Sequence, residues 1–138
     1  MTKLAILAAV ILILAAILII RSCSIDKKLK KNEILRLDRM ANLFGTTSRG
    51  YGQIRGNGWL ILTERTVIFE MYVPVRQIVI PLNSITGINQ ASGHLGKIRK
   101  AGGPLLQITY RHGHGEETVA WSVNDVSGWI GELEKLRA

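Results

Sequence analysis

Apolar residues are distributed along this chain in two different ways. From Leu4 to Ile20, 17 consecutive residues are all Ala, Val, Ile or Leu. As a helix rising about 1.5 Å per residue, the run reaches roughly 25 Å, at the short end of what crosses a ~30 Å hydrocarbon core. No side of such a helix suits water, so a core helix of a soluble domain is a poor fit. Lys3 and Arg21 bracket the run and can snorkel toward headgroups. The pattern predicts a transmembrane anchor over residues 1–22. A cleaved signal peptide and a lipoprotein signal ending at Cys23 are the alternatives. Against them, the run exceeds the usual 7–15-residue signal core, no Ala-x-Ala site follows, and Arg21 fits poorly beside a lipidated cysteine.

Beyond the run the pattern breaks into short pieces. Residues 23–44 read as a basic juxtamembrane linker and helix. Ile34, Leu37, Ala41 and Phe44 recur at spacings of three and four, which predicts a helix over 33–44 stopped by Gly45, with an edge strand over 36–44 as the alternative. From residue 49 the chain alternates short apolar runs with turns. Gly50, Gly52, Gly56 and Gly58 mark a bend into Trp59–Thr63. Strands then follow at 66–72, 76–80, 84–88, 105–110 and 118–123, the last two joined through His112-Gly-His-Gly. Residues 89–104 form the longest piece without periodicity, and a loop of that length is a candidate working surface. At the C-terminus Asn124 or Asp125 can cap a helix whose Val126, Trp129, Ile130, Leu133 and Leu136 make one apolar stripe. The fold class is mainly β with a C-terminal α-helix: about seven strands curled over a core and plugged by one helix.

Charge locates the partner surface. The chain of 138 residues carries a formal net charge of +8. Residues 21–55 hold nine Lys or Arg against three acids, whereas residues 56–138 are nearly balanced. The basicity therefore belongs to the juxtamembrane stretch, which argues against nucleic acid, since a reader of bases needs a basic face on the folded domain. Arg21, Lys27, Lys28, Lys30 and Lys31 are the expected membrane-contact residues, each attracted to anionic lipid by about 1 kcal/mol where well placed. The excess of Lys and Arg after the run predicts a cytoplasmic C-terminal side in a single-pass protein of the cell membrane. A lone Cys23 excludes a disulfide framework.

The order Gly58-Trp-Leu-Ile-Leu-Thr63, Val67-Ile-Phe69, Ile80-Pro-Leu82 with Ile85, and the helix carrying Trp129 and Leu133 resembles the pleckstrin-homology-like (PH-like) superfamily. It looks closest to the lipid-associated GRAM type and to bacterial PH-like domains. The resemblance spans about residues 44–137 and implies a PH-like domain over 45–138. It also implies two orthogonal sheets closed at a corner by the helix, and a binding module without catalysis. Lipid-binding members use a Lys/Arg cluster between the first two strands. Here that region offers only Arg49 and Arg55, so specific recognition of an inositol phosphate is not expected.

Catalytic chemistry finds little footing. His112 and His114 share one side of an extended segment, but two ligands do not make a metal site and the bland reading is an exposed turn. Glu116 and Glu117 are adjacent and point to opposite faces of a strand. No nucleophile elbow is present. No enzyme activity, cofactor or metal is expected. His94, Lys97, Arg99 and Lys100 concentrate positive charge on the long loop and are the candidate partner-binding residues. The expected partners are membrane lipids and another membrane or membrane-associated protein. A homo-oligomeric membrane component is the alternative, since the Ala-rich span permits close helix packing.

Overall fold

The computed structural model describes residues 2–29, 33–49, 55–98 and 102–137. Two compact units make up the chain, Met1–Glu33 and Ile34–Ala138. The first is a single helix, α1, over Lys3–Leu29. It runs past the apolar stretch because Arg21–Leu29 contains no Gly or Pro to stop it. It is long and apolar enough to cross a membrane, and none of its apolar window is buried.

The second unit contains β1 (Ile34–Thr46), β2 (Gly56–Thr63), β3 (Thr66–Met71), β4 (Arg76–Pro81) and β5 (Ile85–Ala91). A small hairpin of β6 (Gly93–His94) and β7 (Lys97–Ile98) follows, then β8 (Leu105–His112), β9 (Gly115–Ser122) and helix α2 (Val126–Arg137). Seven strands form one sheet in the order β4-β3-β2-β1-β9-β8-β5. Every neighbouring pair is antiparallel. The strand β1 joins the two halves: it pairs with β2 over Ile34–Leu43 and with β9 over Asn42–Thr46.

The helix expected over 33–44 is therefore a strand, and the compact β unit starts at Ile34, ahead of the expected boundary at 45. Bulges explain the misleading spacing. Asp38 pairs with Leu60 and Ala41 with Gly58, so β1 carries one more residue there than β2. Further shifts fall at Ile34/Arg36 and Leu43/Gly45, the latter at a glycine with φ of 129°. The bulge between Ile34 and Arg36 turns a period of two into the Ile34–Leu37 spacing of three, while Ala41 and Phe44 belong to two different apolar clusters, so the helix-like spacing marks no single face.

One core fills the space under the sheet. Leu60, Leu62, Val67, Phe69, Ile80, Leu106, Ile108, Val119 and Trp121 project into it, and α2 closes it with Val126, Trp129 and Leu133. Asp125 caps α2, its carboxylate accepting the Gly128 N–H at 3.1 Å. Arg36 ties β1 to this corner: its guanidinium meets the Asp125 carboxylate at 2.9 Å and lies 5.6 Å from the centre of the Trp129 ring. Gly58 has a packing reason, since a Cβ there would strike the Glu70 backbone of β3. Trp59, on the opposite face from the core, is buried under Tyr72 and the Arg39 guanidinium.

Candidate functional site

Where β1 ends, β4 begins and the β8–β9 hairpin turns, the sheet opens on a cleft of about 220 Å³. Thr46, Ser48, Arg76, Tyr110, His112 and Glu117 line it. Its polar groups are mutually engaged. One oxygen of the Glu117 carboxylate accepts the Ser48 N–H at 2.7 Å and the Thr47 hydroxyl at 3.1 Å. The same Thr47 oxygen accepts the Thr118 N–H at 3.0 Å, and Arg76 donates to the Thr46 hydroxyl at 3.1 Å. Burial opposes the Glu117 charge, but the Ser48 and Thr47 hydrogen bonds, with His112 nearby, hold its carboxyl below the ordinary range. Burial pushes the Tyr110 hydroxyl up, and the Glu117 charge adds to the effect.

The chain thus places its own anion where backbone and hydroxyl donors converge at the open end. An incoming phosphate would meet the buried Glu117 carboxylate and its repulsion.

Of the candidate partner-binding residues, His94 and Lys97 face each other as a pair of the β6–β7 hairpin. His94 is buried; its Nε2 lies 3.0 Å from the Gly45 carbonyl and its Nδ1 lies 3.2 Å from the Gln107 amide. Desolvation lowers its pKa from the ordinary 6.5, with the Gly45 hydrogen bond opposing and Lys97 reinforcing. Lys97 donates to the Phe44 carbonyl at 3.2 Å. Together they tie the β6–β7 hairpin to the backbone at Phe44 and Gly45, and Phe44 belongs to a second apolar cluster with Leu105 and Ala120. Much of the stretch 89–104, expected to lack regular structure, is β5 plus this hairpin. Its turn, Leu95–Gly96, has both φ values positive, 50° and 72°, as a two-residue hairpin of the I′ kind needs. The exposed apolar residue of the hairpin is Ile98, at 71%. Arg99 and Lys100 lie outside the described residues.

Of the membrane-contact set, Arg21, Lys27 and Lys28 lie on α1 beyond the apolar run, and Lys30 and Lys31 fall outside the described residues. Among the described residues no three His, Cys, Asp or Glu side chains gather in a group that could hold a metal ion. Sequence reasoning missed the Glu117 cleft. The alternation that sends Glu116 and Glu117 to opposite faces was the available signal, but it could not say which one turns inward. Arg76, from the start of β4, is half-buried at the same cleft.

No protein-family profile matches the chain, and no curated protein matches it. Solved structures do. The C-terminal domain of an unknown protein from Leishmania infantum aligns with a TM-score of 0.58 at 10% identity, covering 80% of this chain and 89% of that one. The Vps36 N-terminal PH domain aligns with a TM-score of 0.51 at 15% identity, covering 76% and 78% respectively. At such identities the likeness is one of fold: the β unit with its C-terminal helix has a PH-like fold.

Proposed function

We propose that this chain is a membrane-anchored PH-like adaptor of the GRAM or bacterial PH-like kind. In this reading α1 is retained as a single-pass anchor, and residues 34–138 engage a protein or anionic-lipid partner at the cytoplasmic surface. The observation that carries it is the pairing, in one chain, of a helix apolar on every side with a unit of PH-like fold whose polar cleft is lined by its own Glu117 carboxylate. A module of that kind works by presentation. Confinement to the membrane raises its effective concentration for partners held in the same plane. Arg21, Lys27, Lys28, Lys30 and Lys31 supply attraction to anionic lipid.

Partner contact is assigned to the end of the β6–β7 hairpin away from its Leu95–Gly96 turn. There Ile98 is exposed and is followed in sequence by Arg99 and Lys100, while His94 and Lys97 hold the hairpin in place. The test is photo-crosslinking from position 98 of the full chain in its native membrane, with the same probe at exposed Met40 as control. A protein adduct specific to position 98 supports the reading. Equal labelling at both positions, or a mature chain lacking its first twenty-odd residues, overturns it.

A further inference from the structure

The β unit has two ends, and the cleft holding Glu117 lies at one of them. At the other, Ile34 pairs with Thr63 next to the β2–β3 turn, so the chain enters the sheet there. A cleft of about 630 Å³ is at this same end. Pro81, Leu82, Ile85 and Leu136 give it an apolar floor, and Arg65 and Arg137 stand on its rim.

The rim is built, not incidental. The Leu82 N–H donates to the Arg65 carbonyl at 2.9 Å, stitching the β2–β3 turn to the turn after β4. The Arg137 guanidinium donates to the Ile85 carbonyl at 3.2 Å, which fixes it at the C-terminus of α2. Arg111, outside the lining, donates to the carbonyl of Asn83, which lines the cleft, at 2.8 Å. Two carboxylates offset the rim arginines. Glu64 lines the cleft, and Glu134 meets Arg137 only at 3.9 Å, with more than half of its side chain exposed. So loose a surface pair contributes little and leaves Arg137 able to bind another anion.

We infer that this proximal cleft, and not the open end, is the face the domain lays on an anionic bilayer. Phospholipid phosphates meet Arg65 and Arg137, and the apolar floor lies against the interfacial layer. The inference rests on the anchored reading above. A membrane that holds α1 tethers the sheet by the end at which the chain enters it. Charge complementarity selects the occupant, because the stretch just before Ile34 carries Lys27, Lys28, Lys30 and Lys31 and favours the same lipids. The open end, with its internal carboxylate and the exposed Val73 and Val75 of the β3–β4 turn, is then left facing away from the bilayer.

The experiment uses the full chain with Cys23→Ser, reconstituted in vesicles of phosphatidylcholine alone or mixed with phosphatidylglycerol. A fluorophore is placed at Asn83→Cys in the cleft or at Val75→Cys on the open end, and quenched by headgroup spin-labelled lipid. Flotation in alkaline carbonate is read first on the same sample. A chain that fails to float removes the anchor and the inference with it. With the chain afloat, stronger quenching at position 83 than at 75, only with phosphatidylglycerol, is the expected result. Arg65→Glu and Arg137→Glu should each weaken that bilayer contact about fivefold. Equal quenching at both positions overturns the inference while leaving the anchor standing. So does a position 83 that is silent with lipid but shielded by protein in native membranes.

Discussion

Asp38 offers the sharpest test of how β1 is held. It sits at the bulge where β1 gains a residue over β2, with its side chain buried against the core. One carboxylate oxygen accepts the Met40 N–H at 2.8 Å and the other accepts the Asn124 N–H at 2.7 Å. One side chain therefore fixes the bulge and also the residue that leads into α2. Asp38→Asn keeps the shape but turns one acceptor into an amide donor facing an N–H donor. Each orphaned N–H costs about 1–3 kcal/mol when buried, and the half-buried setting puts this one near 1–1.5 kcal/mol. Asp38→Ala orphans both, about 2–3 kcal/mol. For a unit of this size each kcal/mol lowers Tm by roughly 4–8 °C. Near-UV circular dichroism of the full chain in detergent reads the β unit alone, because Trp59, Trp121 and Trp129 all lie in it. Hydrogen exchange at Met40 and Asn124 should accelerate in parallel. An Asn variant within about 0.5 kcal/mol of the parent, the range of an ordinary surface change, would refute the reasoning.

Other expectations follow from the same contacts. Because folding depresses the His94 pKa, its contribution is fully present above 6.5 and lost as pH falls through the lower folded value. His94→Gln should flatten that acid-side fall of Tm, and an unchanged pH profile would contradict the latch. Glu117 is also depressed, from an ordinary 4.5, so its contribution is present above that value and lost as pH falls through the folded one. Glu117→Gln should lower Tm at neutral pH and narrow the gap to the parent in acid; equal melting at neutral pH would show the cleft network to be slack. Gly58→Ala forces β2 from β3 and should lower the yield of folded protein and Tm together, whereas Gly115→Ala, with open space around it, should not. Leu133→Ala opens the α2 interface at a cost of about 2–5 kcal/mol, read by the same dichroism melt.

Much of this was legible in the residues themselves. Leu4–Ile20 specifies an apolar helix by composition alone, because an unbroken run of Ala, Val, Ile and Leu needs no tertiary partner to declare itself. The cap at Asp125 and the stripe Val126–Trp129–Leu133 mark α2, because helix capping and a 3.6-residue period are local properties. The strands β2, β3 and β8 show themselves as short apolar runs between turn residues for the same reason. What the tertiary structure alone decided depends on pairing across long separations. The strand β1 is disguised by bulges that exist only against β2 and β9. The β6–β7 hairpin is held by His94 and Lys97 reaching Gly45 and Phe44, about fifty positions away in the chain. Glu117 turns inward because Thr47 and Ser48, about seventy positions away in the chain, supply its donors. A side chain's neighbours along the chain set its local conformation; the groups that fill its hydrogen bonds and fix its charge arrive only when the sheet closes.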